Sequence, residues 1–344
     1  MEGGFGLHAS VPDFDFAESI DRDAGPVLKP TIIPPLVMPS PSPEPVPEDA
    51  SIDDEPTATG EPHGPTSPCP SPISAHAHAT PSSVKVSIGP QHFDLLKLIG
   101  EGAFGRVILV RNRLNKRLYA MKAISKSLLR KKNNMTYMQS ERDILTKISH
   151  PFIVTLWFAF QSEARLFLVM DFLAGGELFF HLKRKGLILE HEARLYLAEM
   201  VLAVEFLHSM GVVHRDLKPE NVLLHRSGHV CLTDFGLAKE VGDSAKVRTL
   251  CGTSEYMAPE MLLRNGYTKA VDWWSLGALF FEMLAGKPPF TAKSAKELDR
   301  KIMSDKPCIP SYVTASAASL LKGMLEKDVQ VPARGTVVVD MEYK

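Results

Sequence analysis

The chain has 344 residues with 39 Lys and Arg against 40 Asp and Glu, a formal net charge of −1; that length allows one or two domains with a sizeable core. The balance hides a split: residues 1–90 hold 18 of the 26 prolines, 13 acidic and 3 basic side chains, which leaves 27 acidic and 36 basic ones in residues 91–344. A single uniform globule is therefore excluded, and so, by pattern, are a secretory leader, a membrane span of ~18 apolar residues, and a zinc or disulfide framework, since Cys69, Cys231, Cys251 and Cys308 show no CxxC spacing.

Residues 1–90 read as a disordered tail rich in Pro, Ser, Asp and Glu, which cannot bury enough apolar surface to offset ordering entropy. Ser40, Ser42, Ser67, Ser71 and Thr80 each precede a proline, a pattern suited to proline-directed phosphorylation; an ordinary flexible linker is the preferred reading. From Phe93 the texture changes. FDLLKLIGEGAFGRVILVRN predicts strand, Gly-rich turn and strand, and RLYAMKAI a third strand with Ala120, Lys122 and Ile124 on one face. MTYMQSERDILTKI has helical apolar spacing through Met138, Ile144, Leu145 and Ile148, and IVTLWFAF and RLFLVMDF predict two more strands. After Gly175-Gly176 come four predicted helices: ELFFHLKRK, HEARLYLAEMVLAVEFLHSM, VDWWSLGALFFEMLAG and SAASLLKGMLEK. Strand-rich first and helix-rich second implies an α+β protein of two lobes.

Gly100-x-Gly102-x-x-Gly105-x-Val107 is a weak signal alone, because the same spacing opens dinucleotide-binding folds. A dinucleotide site needs a helix next. Val107-Ile108-Leu109-Val110 favours a strand instead, so the glycines form a hairpin lid whose N–H groups can approach phosphate oxygens closely. Lys122, inward among apolar neighbours, needs anionic partners; phosphates and Glu141 on the next helix are the candidates, against a packed surface lysine. The strongest stretch is His214-Arg215-Asp216-x-Lys218-x-x-Asn221, followed by Asp234-Phe235-Gly236 and Ala258-Pro259-Glu260. Asn221 and Asp234 offer hard oxygen ligands suited to Mg²⁺. Asp216 would accept the proton of an attacking hydroxyl, and Lys218 would offset charge on a transferring phosphoryl group.

These motifs, in this order between residues 93 and 328, resemble the eukaryotic protein kinases. Lys218, two residues after Asp216, is the Ser/Thr form. The stretches Phe179-Phe180-His181-Leu182, Cys251-Gly252-Thr253-Ser254-Glu255-Tyr256-Met257 and Val271-Asp272-Trp273-Trp274 resemble the AGC group, nearest to the ribosomal S-six kinase and protein kinase B branches. The resemblance implies a bilobal kinase fold over residues 93–328, with a small lobe over 93–172 and a large lobe over 173–328. It implies ATP and Mg²⁺ as cofactors, Lys122, Asp216, Lys218 and Asn221 as catalytic residues, and Asn221 and Asp234 as metal ligands. For the nucleotide it implies Ile99, Gly100, Gly102, Phe104, Gly105, Val107, Ala120, Lys122, Glu141, Leu223 and Thr233, with Met170 as gatekeeper and the Asp171 and Leu173 backbone at the adenine edge.

By the same resemblance Glu177, which also holds the ribose, joins Glu220 and Glu282 in selecting arginines N-terminal to the target Ser or Thr, since guanidinium forks pair bidentately with carboxylates. Thr249 aligns with the activation-loop phosphosite for an upstream kinase; phosphorylated, it would pair with Arg215 and Lys239. Tyr137 takes the place of a cationic histidine often found there. Thr253 would bond near Asp216 and Lys218, and Asp272 would anchor the catalytic-loop backbone. Protein substrates, a monomer, no nucleic acid and a cytoplasmic, also nuclear, location in growth and nutrient signalling complete the expectation. A nucleic-acid role is the poorer reading of the basic balance, Lys126, Arg130, Lys131 and Lys132 making a solvated face.

Residues 329–344 depart from the family pattern: Val329 stands where a proline is usual, Arg334 arrives late as a partner for Glu260, and the group's long C-terminal tail is not matched. The alternative expectation is therefore a truncated form that binds ATP yet transfers weakly or serves as a regulatory decoy. Phe14-Asp15-Phe16-Ala17-Glu18 partly resembles the signal by which ribosomal S-six kinases dock the target-of-rapamycin complex; an incidental acidic-aromatic patch is preferred.

Overall fold

The computed structural model describes residues 31–32, 88–102, 105–131, 135–242 and 246–328, with backbone only at 31–32 and 135–137. Most of the N-terminal tail with its Ser-Pro and Thr-Pro pairs, the 14–18 segment, Phe104, Lys132, the Tyr137 side chain and residues 329–344 with Arg334 lie outside these. The described strands are β1 (Thr31–Ile32), β2 (Phe93–Gly102), β3 (Gly105–Asn112), β4 (Leu118–Ser125), β5 (Leu156–Gln161) and β6 (Arg165–Asp171), then the short β7 (Gly176–Glu177), β8 (Val212–Val213), β9 (Val222–Leu224), β10 (Val230–Leu232) and β11 (Lys239–Glu240). The helices are α1 (Lys126–Lys131), α2 (Met135–Lys147), α3 (Leu178–Lys185), α4 (Glu190–Ser209), α5 (Pro259–Leu262), α6 (Ala270–Ala285), α7 (Ala295–Ser304) and α8 (Ala315–Met324).

The expected α+β architecture is present, a sheet lobe followed by a helical one. The large sheet runs β1-β5-β6-β4-β3-β2, all antiparallel, and Thr31–Ile32 occupies its edge against Phe158 and Ala159. Strand alternation sorts the side chains cleanly. Ile108, Val110, Tyr119, Met121, Phe167 and Val169 build one small core with Phe93 and Phe160 on one face. The register pairs Val107 with Gly100 and Lys122, and Ala120 with Leu109 and Met170, so these residues share the opposite face. Ile124, Leu168 and Met170 on that face belong to the main core, which continues through α2 into the helical lobe.

In that lobe α4 presents Ala193, Leu197, Met200, Val204 and Leu207 at helical spacing, with Glu190 and Glu192 in its first turn where the helix dipole favours acids. It packs on α6, which is buried from Val271 to Leu284 save Glu282, and Trp274 stacks on Phe290 at 6.1 Å.

The structure corrects three details. The strand expected from Ile153 begins at Leu156, because Val154 N–H bonds the Leu232 carbonyl (2.9 Å) and Leu232 N–H bonds the Phe152 carbonyl (2.8 Å), drawing that stretch toward β10. The expected solvated basic face keeps Arg130 and Lys131 exposed but is carried on a helix seated by the fully buried Leu129, and Lys126 leaves it, its Nζ on Ser162 O at 2.6 Å. Helix α7 was not expected. Its signal was the Ser294-x-x-Glu297 cap: Ser294 Oγ accepts from Glu297 N–H at 3.3 Å, and Leu298 and Ile302 make the buried stripe. Ser294→Ala is expected to cost about 1 kcal/mol in urea unfolding, with Ser294→Asp close to wild type; equal loss in both variants would refute the capping role.

Candidate active site

Two groups of side chains meet in the cleft between the sheet and the helical lobe. The first is assembled over long chain distances. Lys122 from β4 donates to Glu141 Oε1 of α2 at 2.7 Å and to Asp234 Oδ1, just after β10, at 3.2 Å. Burial pulls the ammonium's pKa down, but the carboxylates of Glu141 and Asp234 outweigh it and hold Lys122 protonated. Lys122 in turn holds the Asp234 carboxyl below its ordinary value, while burial pushes Glu141 up against it. Glu141 Oε2 is buried with no hydrogen-bond partner among the described residues. Asp234 sits at φ 57°, a strained backbone for a non-glycine residue, and its side chain is half exposed to the cleft.

The second group comes from one short loop between β8 and β9. Asn221 Nδ2 donates to Asp216 O (2.8 Å) and Oδ2 (3.1 Å), and Lys218 Nζ lies 2.9 Å from Asp216 Oδ2. Thr253 joins them, donating to Asp216 Oδ1 (2.9 Å) and accepting from Lys218 Nζ (3.0 Å). Gly252 makes that possible. At φ 105° it runs so close to the loop that a Cβ would sit 2.6 Å from Arg215 O. The loop is anchored from beneath by Asp272 of α6, fully buried, which accepts from His214 N–H and Arg215 N–H (both 2.8 Å) and from His208 Nε2 (2.9 Å). His214 Nδ1 accepts from Asp216 N–H (3.3 Å) and its Nε2 faces Thr233 O (3.2 Å), so the ring bridges the loop to the Asp234 strand. Thr233 N–H also bonds Asn221 O at 2.9 Å.

Four of the residues expected around a nucleotide lie with Lys122 on one face of the large sheet. Gly100, Val107, Ala120 and Met170 share that face, Leu223 pairs with Glu177 across β7 and β9, and Leu173 is buried in the strand-to-helix link. Ile99 and Gly102 lie exposed along β2, with Gly102 opposite Gly105 at the hairpin end. Gly105 has its own constraint: a Cβ there would lie 2.0 Å from Ala123 O.

Glu220 and Glu282 approach from the loop and from α6. Tyr256 donates its hydroxyl to Glu282 Oε2, and Glu220 Oε2 is buried with no partner among the described residues. Burial raises the Glu177 and Glu282 carboxyls, and the charge of Glu220 raises both further.

Thr249 is exposed, its carbonyl held by Tyr267 OH (2.7 Å), which accepts from Arg215 Nη1 (3.3 Å). Arg215 Nε also donates to Leu237 O (2.6 Å), and Lys239 lies exposed on β11 opposite Val213. Sequence reasoning assigned no role to Tyr267 or His208. Tyr267 reaches Arg215 across 52 residues and Thr249 across 18, and His208 reaches Asp272 across 64, separations for which a chain pattern carries no signal.

Among the described residues no group of three or more His, Cys, Asp or Glu forms a metal cage. The oxygen donors of Asn221 and Asp234, with the Lys122 ammonium 3.2 Å from Asp234 Oδ1, fit a divalent cation that also binds phosphate oxygens.

The protein kinase domain model matches residues 93–339. Serine/threonine-protein kinase AtPK2/AtPK19 of Arabidopsis thaliana is 50% identical over 249 residues, covering 72% of this chain and 53% of that protein. The RAC family serine/threonine-protein kinase homolog of Dictyostelium discoideum is 49% identical over 243 residues, 70% of this chain and 55% of its own length. Ribosomal protein S6 kinase beta of Caenorhabditis elegans is 46% identical over 249 residues, 71% of this chain and 45% of its own. The chain thus spans about half the length of the curated relatives it matches.

Proposed function

Because the chain belongs to the protein kinase family, among its AGC-type serine/threonine members, we propose that it phosphorylates Ser or Thr hydroxyls in protein segments with upstream arginines, using ATP and Mg²⁺. ATP and a divalent metal are general requirements of the family. Bound, they supply the γ-phosphoryl group and offset its charge. The observation that carries the reading is the cluster centred on Asp216, whose carboxylate lies within hydrogen-bond reach of Lys218, Asn221 and Thr253, with Thr233, the neighbour of Asp234, bonded to Asn221 O. Asp216 orients the incoming hydroxyl and accepts its proton. Lys218, already 2.9 Å from Asp216, stabilises charge as it develops. Asn221 and Asp234 would hold the metal, and Lys122, kept in place by Glu141, would hold the phosphates.

Selection of arginine is supported by the buried, unpartnered Glu220 oxygen beside the raised carboxyls of Glu177 and Glu282. Carboxylates crowded together without a cation favour a guanidinium. Phosphate on the exposed Thr249, added by an upstream kinase, would act on Arg215 through the Tyr267 link.

The test is ³²P transfer from ATP-Mg to an Arg-x-Arg-x-x-Ser peptide, with and without phosphate on Thr249. Alanine in place of both arginines is expected to lower kcat/KM about 10- to 100-fold. The pH dependence has a definite sign. Glu177 and Glu282 titrate above the ordinary 4.5, so arginine recognition fades on acidification before an ordinary glutamate would protonate. The Ala peptide should lack that component. Equal kcat/KM for both peptides would refute arginine selection; no transfer from folded, Thr249-phosphorylated chain would refute the enzyme reading.

A further inference from the structure

In the link between the lobes, where the reading above places the adenine edge, Leu173 packs into the main core, whereas Asp171 and Phe172 are half-buried. All three border an open cavity of about 670 Å³ whose other walls include His150, Pro151 and Cys231. On that side the side-chain hydrogen bonds at the start of the link converge on one carboxylate. Asp171 Oδ1 accepts from Trp157 Nε1 at 2.7 Å and from Arg117 Nη2 at 2.8 Å; Oδ2 accepts from Thr155 N–H at 3.3 Å. Asp171 N–H donates to Thr155 O at 3.2 Å. The Arg117 guanidinium also lies 4.5 Å over the Trp157 ring and 5.4 Å over Tyr119, which limits its orientations. The donors come from β5 and from the turn before β4, so the carboxylate ties the end of β6 to two neighbouring segments of the sheet.

We infer that Trp157 and Arg117 are positioning residues for the nucleotide: by holding the Asp171 carboxylate they place the Asp171 and Leu173 backbone groups against the adenine edge. The inference rests on the nucleotide reading above. Charge-assisted hydrogen bonds to a carboxylate are short and directional. An error in the backbone behind the adenine would therefore appear in nucleotide affinity and leave the peptide subsite and the Asp216 loop unaffected.

The test uses the full chain. Trp157→Phe keeps the ring and removes the donor; Arg117→Gln removes the charge; Arg117→Lys restores it. Calorimetry with ATP-Mg is expected to give a Kd raised roughly threefold to tenfold in Trp157→Phe and Arg117→Gln, with Arg117→Lys recovering most of the loss. KM for ATP follows, while KM for peptide and kcat at saturating ATP move less than about twofold. Trp157 is one of three tryptophans and the other two lie buried in α6. ATP-Mg should therefore shift the emission of the wild type and leave that of Trp157→Phe unmoved. Unchanged Kd in both variants, or a loss confined to kcat, overturns the inference. Should Trp157→Phe fail to fold, the half-exposed Arg117 decides. ATP binding that depends on these residues without any transfer refutes the enzyme reading alone; transfer with an unmoved Kd refutes the positioning role alone; no ATP binding refutes both.

Discussion

Asp234→Ala is expected to lower transfer to the arginine peptide by about 10³-fold or more. The carboxylate is the acidic oxygen ligand proposed for the metal and one of two anions that hold Lys122. Removing it leaves Lys122 on Glu141 alone and no carboxylate at the end of β10. The fold should survive, since the side chain is half exposed. Alanine at φ 57° adds about 1–2 kcal/mol of backbone strain, which asparagine tolerates better. Asp234→Asn therefore separates the two effects: its melting temperature should approach wild type while transfer stays severely reduced. Transfer within tenfold of wild type in both variants would remove Asp234 from the proposed chemistry.

Asp272→Ala is expected to be the most damaging single substitution for stability, by about 3–5 kcal/mol. The carboxylate is inaccessible to solvent, and its loss strands the His214 and Arg215 amides and the His208 ring donor where water cannot replace the acceptor. Burial pushes this carboxyl up, but the His208 bond and charge and the backbone N–H bond outweigh that and hold it below its ordinary 3.8. A depressed folded value means the contribution is complete above the unfolded value and drains away only as pH falls through the folded one. The gap between wild type and variant should hold constant through neutral pH and close only well below pH 4. Thermal melts across pH and hydrogen exchange at the His214 and Arg215 amides measure it; a variant with unchanged midpoint and protection would show that the loop has another anchor.

These two aspartates mark how far the sequence could be read. Asp234 stood out by its motif, and strand alternation on β4 correctly grouped Ala120, Lys122 and Ile124. The Asp216, Lys218 and Asn221 constellation was legible because six consecutive positions hold all three, so one loop conformation brings them together. The α7 helix carried a readable cap that was passed over, and the strand expected from Ile153 was shortened by bonds to β10 that no local pattern announces.

Local patterning by itself determined the elements, the change from strand to helix, and the residue types of the catalytic loop, because these depend on periodicity and on neighbours a few residues apart. Only the tertiary structure decided which charges meet. Lys122 and Asp234 are 112 positions apart, and Arg117 lies 54 from Asp171. Such contacts are set by how sheet and helices pack and by which buried donors must find an acceptor. Trp157 shows the difference most plainly: in sequence it is one more apolar residue of a strand, and in the fold its single N–H donor meets the Asp171 carboxylate at the end of β6.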